Sequence, residues 1–179
     1  MTLGEFKESV LKFIEEYDDE ADELTRDIDI ADKINAVVNN VMFEVMRYKK
    51  IEDKKEIEAT EDEEISIEEI DERCYQIYKI ANVRYVQNGK YIKFKEDGMA
   101  KIYYYKYPIV IDEDTDDDIY NFEIDLDALE VMKIGVASNL LKADVSNQYG
   151  RIWANEYARL LQTLDSRKNA GTITIGKRS

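Results

Sequence analysis

The sequence predicts an α+β fold, mainly a helical bundle of about four helices with an inserted three-stranded antiparallel β-meander. Apolar residues recur at three-and-four spacing towards both ends of the chain, which is the period of an amphipathic helix. The middle of the chain is rich in aromatic and β-branched residues and is punctuated by Asn88-Gly89 and Asp97-Gly98. Such dipeptides between apolar runs are typical of hairpin turns, so consecutive strands are expected to pair.

Residues 1–48 predict an N-terminal helical hairpin. Thr2 and Glu5 have the spacing of a capping box, which satisfies backbone N–H groups at the start of a helix. The first helix then carries one apolar face, made of Phe6, Val10, Phe13, Ile14 and Tyr17. After an acidic run, Asp29 is a candidate N-cap for a second helix, whose apolar residues keep helical spacing from Ile30 to Val45.

An inserted β-subdomain is predicted over residues 55–110, with the meander at 75–107. Ile92 and Phe94 alternate with polar neighbours in the middle strand, which predicts one buried face and one solvent-exposed face. Pro108 is expected to end the last strand, because proline cannot donate to a strand ladder. The charged stretch 49–73 has no long apolar period, and it is compatible with short strands near Ile57 and Ile65.

A C-terminal helical pair is predicted over residues 125–167. Asp125 or Asp127 caps its first helix, whose broad apolar surface favours a central position. Trp153 lies in the apolar stripe of the second helix, where core packing is expected. Residues 168–179 predict a flexible tail, and the whole chain, 1–179, predicts a single domain.

Composition narrows the classes of function. The chain has 179 residues with 40 acids against 25 bases, a net charge of -15, which argues against ordinary nucleic-acid binding and suits a basic partner. There is no histidine and only one cysteine, Cys74, so no Ser-His-Asp or Cys-His pair can form. No glycine-rich phosphate loop is present. Catalysis by carboxylates, lysine or tyrosine stays open on composition alone, but no motif nominates a catalytic group. A calcium-dependent or carboxylate-based enzyme is therefore the weakest alternative, and the favoured prediction is a protein that is not an enzyme and has no cofactor.

Localisation is predicted from what the chain lacks. A lone cysteine fits a reducing compartment. No apolar stretch is long enough to cross a membrane, and the N-terminus has no basic-then-apolar signal layout. These features favour an intracellular, soluble protein without a membrane partner.

The stretch DEDTDDDIYNFE, at 112–123, has the ligand spacing of a calcium loop. The carboxylates at the first, third, fifth and twelfth loop positions are Asp112, Asp114, Asp116 and Glu123. Asp117 stands where the loop's sharp turn needs glycine, and a strand precedes the stretch instead of a helix. The favoured interpretation is a solvated strand-to-helix connection, and these four carboxylates are only a weak metal candidate.

Tyrosines cluster at the end of the last predicted strand. Strand alternation places Tyr103, Tyr105 and Tyr107 on one face and Tyr104 on the other. Three interpretations remain open: plain sheet packing, a protein interface, and an aromatic-basic platform for nucleic acid that uses the nearby lysines. A second interface candidate is the tail segment Thr172, Ile173, Thr174 and Ile175, which could be donated to a neighbouring sheet edge or be a frayed terminus.

Four features follow one another in the second half of the chain: YYYKYP at 103–108, an acidic loop at 112–118, VASNLLKAD at 136–144, and a helix with spaced aromatics and leucines at 149–164. In this order they resemble the head–tail connector (adaptor or head-completion) proteins of tailed bacteriophages. A further family motif is weaker here, since only Tyr75, Ile77 and Ile80 match it.

This resemblance implies a structural virion or prophage protein that assembles as a dodecameric ring. Its implied partners are the phage portal protein and a tail-completion or stopper protein, and DNA passes through the ring without being specifically bound. The implied location is the virion, with the bacterial host cytoplasm during assembly. The alternative from the composition alone is an acidic regulatory protein of the DNA-mimic type, which masks a basic partner.

Overall fold

The computed structural model describes residues 1–15, 28–141 and 148–166. Within them the α+β prediction is confirmed, with five helices and two three-stranded antiparallel sheets. In chain order the elements are α1 Leu3–Glu15, α2 Ile28–Tyr48, β1 Ile51–Ala59, β2 Glu64–Ser66, α3 Ile67–Ile70, β3 Cys74–Ala81, β4 Tyr85–Asn88, β5 Tyr91–Phe94, β6 Gly98–Lys106, α4 Leu126–Leu141 and α5 Gln148–Ser166. They fall into two compact units: a helical unit, Met1–Lys49 with Ile111–Ser179, and a β unit, Lys50–Val110.

The predicted capping box opens α1. The Thr2 backbone N–H donates to Glu5 Oε2 at 2.8 Å, and the Glu5 N–H donates to Thr2 Oγ1 at 3.2 Å. Each side chain thus satisfies a backbone donor that the first helical turn leaves without a partner. The helical hairpin over 1–48 stays a prediction, because its turn lies outside the described residues.

Helix α4 lies at the centre of the helical unit, as its broad apolar surface predicted. It packs against α1, α2 and α5 and buries side chains all around its axis, among them Met132, Val136 and Ala137 at 0% exposure. Gly135 permits the closest approach, since a Cβ there would lie 2.6 Å from Tyr157 Cε2 and 2.8 Å from Val41 Cγ1. The absence of a side chain at this position lets two neighbouring helices close on α4.

The β unit contains two sheets, ordered β1-β6-β3 and β2-β5-β4. A hairpin forms at the predicted place and joins β4 and β5, but Asn88 pairs with Tyr91, so the two turn residues are Gly89, at φ 60°, and Lys90. The prediction of a single three-stranded meander is wrong, because β6 does not pair with β5 and lies instead between β1 and β3.

Two local features explain why the meander does not form. Asn82 adopts φ 76°, which breaks the long run that starts at Cys74 into β3 and β4. The Asp97 carboxylate accepts a hydrogen bond from the Glu61 N–H at 2.7 Å, which ties the second predicted turn to the end of β1. Strand β6 is thereby directed to β1 over its whole length instead of folding back on β5.

The core of the β unit contains residues of both sheets and of α3. Ile92 and Phe94 are fully buried, so the prediction that they face the core is confirmed. Helix α3 begins with a capping box between Ser66 and Glu69 and contributes Ile67 to this core. The domain bounds given by the sequence stay predictions, and the tail 168–179 lies outside the described residues. None of the helices in the described ranges is long and apolar enough to span a membrane.

Candidate functional site

Five tyrosines share one face of the β1-β6-β3 sheet, which we name the tyrosine face: Tyr75, Tyr78, Tyr103, Tyr105 and Tyr107. Residues of β6 alternate between this face and the core, and Tyr104 is only 3% exposed on the opposite side. The predicted division of the β6 tyrosines is therefore confirmed. Tyr78 and Tyr107 are the most exposed of the five, at 41% and 47%.

Two β-bulges bring Tyr75 and Tyr78 onto the tyrosine face. The register with β6 shifts between Cys74 and Gln76 and again between Ile77 and Lys79, so neither tyrosine lies opposite a β6 residue. A bulge adds one residue to its strand and re-aims the side chains beside it. Sequence reasoning did not assign these two tyrosines to the site. The available signal was the three-residue spacing of apolar residues at Cys74, Ile77 and Ile80, which are all buried.

The five rings form a continuous aromatic surface. Tyr78 stacks on Tyr105 with ring centroids 4.5 Å apart, and Tyr75 lies 4.6 Å from Tyr107. Longer contacts of 6.2 Å join Tyr75 to Tyr105 and Tyr78 to Tyr103. Aromatic pairs at these distances stabilise the sheet by about 0.5–1.5 kcal/mol each beyond their area burial. The surface is consequently rigid as well as partly exposed.

Charged groups lie at the edge of this aromatic surface. Lys50 Nζ lies 4.3 Å from the Tyr105 ring centroid, and Lys79 Nζ lies 5.3 Å from that of Tyr103. The Tyr78 hydroxyl donates to Glu52 Oε2 at 3.4 Å. Burial and the Glu52 charge raise the pKa of Tyr78, so its hydroxyl stays protonated at neutral pH.

The tyrosine face is nearly neutral in a strongly acidic chain. Its charged residues are Lys50, Glu52, Lys54, Glu56, Glu58, Lys79 and Lys101. Lys101 and Glu56 form an ion pair at 2.9 Å. Four lysines therefore balance three glutamates here, whereas the chain as a whole carries -15. A face with aromatic residues and little net charge has the composition of a protein-binding surface.

The opposite face of the same sheet holds an ion pair between a buried lysine and a partly exposed aspartate. Lys106 is 7% exposed, and its Nζ lies 2.8 Å from Asp53 Oδ2. Burial acts to raise the pKa of the Asp53 carboxyl, but the hydrogen bonds from Lys106 and from the Lys54 N–H, together with the charges of Lys106 and Arg73, hold that pKa below its ordinary value. The Tyr104 hydroxyl donates to Asp71 Oδ2 at 3.2 Å, and its burial raises its pKa.

Cys74 lies among these buried residues and is 5% exposed. Burial raises the pKa of its thiol, so the nucleophilic thiolate is disfavoured at neutral pH. The side chains on this side of the sheet therefore have a structural role.

In the acidic loop, residues 112–118, carboxylates accept hydrogen bonds from residues of the same loop. Asp112 Oδ1 accepts hydrogen bonds from the Asp114 N–H at 3.1 Å and from Thr115 Oγ1 at 2.7 Å. Asp116 Oδ1 accepts from the Asp118 N–H at 2.9 Å. Within the described ranges there is no group of three carboxylates or thiols that could hold a metal ion. The four candidate ligands lie inside those ranges and do not converge.

This loop is also joined to the start of α1. Lys7 Nζ lies 2.8 Å from Asp117 Oδ2, and the Gly4 N–H donates to the Asp117 carbonyl oxygen at 2.9 Å. A further backbone bond runs from the Leu3 N–H to the Tyr120 carbonyl at 3.0 Å. Asp117, which the calcium-loop template requires to be glycine, is thus a contact between the loop and the helix.

Trp153 is half-buried and packs on Phe13 with ring centroids 4.6 Å apart, beside the helical core. The donated-strand candidates at 172–175 lie outside the described residues.

No protein-family model matches the sequence, and no curated protein matches it.

Proposed function

We propose that this protein is a non-enzymatic structural protein of a tailed phage or prophage, a head–tail connector that binds the portal and assembles as a ring. The observation that carries the proposal is the tyrosine face of the β unit. Tyrosine is enriched at the centres of protein interfaces because it supplies large, rigid contact area and a polar hydroxyl. A face of this kind suits docking on another protein better than chemistry on a small molecule.

The hydroxyls support this role. Among the described residues, those of Tyr75, Tyr103 and Tyr105 form no hydrogen bond with another side chain or with the backbone, although their rings are packed side by side. A partner's carbonyl or carboxylate oxygens would satisfy these donors on binding. The rings are already fixed by mutual contact, so little side-chain entropy is lost when a partner docks.

The distribution of charge supports passage of DNA past the helical unit. Outside residues 50–110 the chain has 26 acids against 14 bases, whereas residues 50–110 have 14 acids against 11 bases. A surface with excess negative charge repels phosphate and keeps DNA from sticking. In the proposed ring, α1, α2, α4 and α5 form the bundle of each connector subunit, and a stopper or tail-completion protein binds after the portal.

Binding to purified portal protein tests this function. The wild-type chain is compared with a Tyr78→Ser/Tyr105→Ser variant and with Tyr91→Ser, a control at a 55% exposed tyrosine in the other sheet. We expect the wild type and the control to co-purify with the portal and the double variant to lose about ten-fold or more in affinity.

Thermal unfolding of all three proteins shows whether the double variant is folded. If the wild type ignores the portal and tail-completion proteins but captures a DNA-binding protein, the connector proposal fails and the acidic regulatory alternative takes its place. If the double variant is folded and binds the portal as well as the wild type does, the tyrosine face is not the docking surface.

A further inference from the structure

Strand β1 is a long, regular sheet edge. It pairs with β6 along all nine residues without a register shift, and the described residues provide no strand on its other side. The other edges are poorer templates, because β3 carries two bulges and β2 and β4 have three and four residues. A long edge without bulges or proline presents an unbroken row of backbone N–H and C=O groups to an added strand, while the charged side chains of β1 restrict which strand can pair with it.

The outward-facing backbone groups of β1 can be assigned. The Tyr107 N–H donates to the Arg73 carbonyl, so odd-numbered residues at the end of β6 bond towards β3. By alternation, the even-numbered residues of β6 bond to the odd-numbered residues of β1. The Lys54 N–H agrees with this pattern, since it donates to the Asp53 side chain at 2.7 Å. The residues whose backbones face away from the sheet are therefore Glu52, Lys54, Glu56 and Glu58.

The chain itself contains a segment with matching chemistry. Residues 167–179, RKNAGTITIGKRS, follow α5 and lie outside the described residues. They include no acid and four bases: Arg167, Lys168, Lys177 and Arg178. Between these basic pairs lies the β-prone run at 172–175. It alternates threonine and isoleucine, so one face of such a strand is polar and the other apolar.

The two partners are complementary in charge and in pattern. Three of the four outward residues of β1 are glutamates. Glu56 is already paired with Lys101, so Glu52 and Glu58 are the carboxylates that suit the basic residues flanking the tail strand. On the inner side of β1, Ile57 is only partly covered where it packs on the core of the β unit. Added beside it, Ile173 and Ile175 would extend that core, while the two threonines would continue the exposed face.

We propose that residues 172–175 of one copy pair with β1 of a neighbouring copy as a fourth strand of the β1-β6-β3 sheet. The choice of a second copy as donor rests on the proposed ring. A donated strand makes a head-to-tail contact, and repetition of such a contact closes a ring. The binding free energy comes from main-chain hydrogen bonds, and the selectivity comes from the glutamates and Ile57.

Cysteine cross-linking between full-length chains tests the pairing. One population carries Thr174→Cys and the other carries Glu58→Cys on the β1 edge. The matched control replaces the second variant with Gln87→Cys, on the exposed edge strand β4. We expect the mixed disulfide dimer to form about ten-fold more with Glu58→Cys than with Gln87→Cys. Equal yields, or none with Glu58→Cys, would overturn the proposal.

A chain with both Thr174→Cys and Glu58→Cys identifies the donor. In a dilute sample, disulfide-linked dimers and higher species are the expected products. A link formed only within single chains would overturn donation between copies.

Blocking the edge gives a second test. Glu56→Pro removes an outward N–H that the added strand needs, without removing a bond to β6. Glu56→Gln is the matched control, because it breaks the same Lys101 ion pair but keeps that N–H. We expect proline to abolish the cross-link from Thr174→Cys to Glu58→Cys and glutamine to preserve it. An undiminished cross-link in a folded Glu56→Pro chain would overturn the proposal.

Failure of strand donation and failure of the connector function give different results. A chain that cross-links through β1 but ignores the portal contradicts the connector function alone. A chain that binds the portal but gives no β1 cross-link contradicts strand donation alone.

Discussion

The Tyr157 ring covers Gly135 so closely that a Cβ at Gly135 would lie 2.6 Å from Cε2 and 2.8 Å from Cζ of that ring. The Tyr157 hydroxyl then reaches Glu44 Oε2 at 3.1 Å. Helices α2, α4 and α5 thus meet at one point, where a glycine makes room for an aromatic ring and a carboxylate accepts its hydrogen bond.

Gly135→Ala is therefore expected to destabilise the helical unit. Alanine raises helix propensity by about 1 kcal/mol. The added methyl group meets both a buried ring and Val41, however, and overpacking of this kind costs about 1–3 kcal/mol, so a net loss is expected. Urea unfolding gives the change. The control is Gly4→Ala in α1, where the added carbon would have its nearest neighbour at 3.5 Å, and a matching loss there would contradict the steric explanation.

Tyr157→Phe should alter the alkaline limb of the stability curve. Burial and the Glu44 charge raise the pKa of Tyr157 above its ordinary value of 10.0, so the native state holds this proton more tightly than the unfolded state. Its contribution is complete below pH 10 and falls as the pH rises further. Wild-type stability should decrease steeply above pH 10, and the decrease should be smaller in the variant. Chemical unfolding at pH 8 and above measures both slopes, and identical slopes would contradict the assignment.

Asp53→Asn should destabilise the β unit and make its unfolding free energy less dependent on pH in the acidic range. It removes the carboxylate that lies 2.8 Å from the 7% exposed Lys106 ammonium, at an expected cost of about 1–3 kcal/mol because the Asp53 side is partly solvated. The pKa of Asp53 is lowered by folding, so the wild-type gain is present above the ordinary value of 3.8 and is lost below it. The difference between the two proteins should therefore shrink from pH 7 to pH 3. A constant difference in unfolding free energy would contradict this.

Calcium titration should show no saturable binding in the micromolar range. The loop carboxylates of Asp112 and Asp116 already accept hydrogen bonds from their own backbone, and Asp117 pairs with Lys7. A sensor-type calcium site binds at about 0.1–10 μM and needs six to eight oxygens directed at one point. Calorimetry measures the heat of binding. Saturable micromolar binding that disappears in Asp112→Asn/Asp116→Asn would restore the calcium-loop interpretation.

The parts of the fold that the sequence predicted are the locally encoded ones. The apolar period located the main helices, and the broad surface of α4 placed it centrally. The hairpin between β4 and β5 was also predicted, because a turn position with φ above zero, here Gly89, favours glycine. In each case the deciding interactions lie within a few residues along the chain.

Long-range pairing was not predictable in the same way. Strand β1 reads IEDKKEIEA, and as a sheet edge it carries charge on both faces, so it has no clean alternation of apolar and polar residues. Its partner β6 is distant in sequence, and no local motif reports that pairing. The prediction of a meander was wrong for this reason. The tyrosine face was half predicted, from the alternation of β6, while the bulges that add Tyr75 and Tyr78 have no reliable sequence signature.

The two compact units also differ in their natural chromophores. The only tryptophan, Trp153, belongs to the helical unit, whereas eight of the 13 tyrosines lie within residues 50–110. Indole emission, excited at the red edge of the absorption band, follows the environment of α5 next to Phe13. Tyrosine circular dichroism in the near ultraviolet is dominated by the stacked rings of the other unit. One unlabelled sample, followed at two wavelengths during denaturation, therefore reports whether the units melt together or in succession.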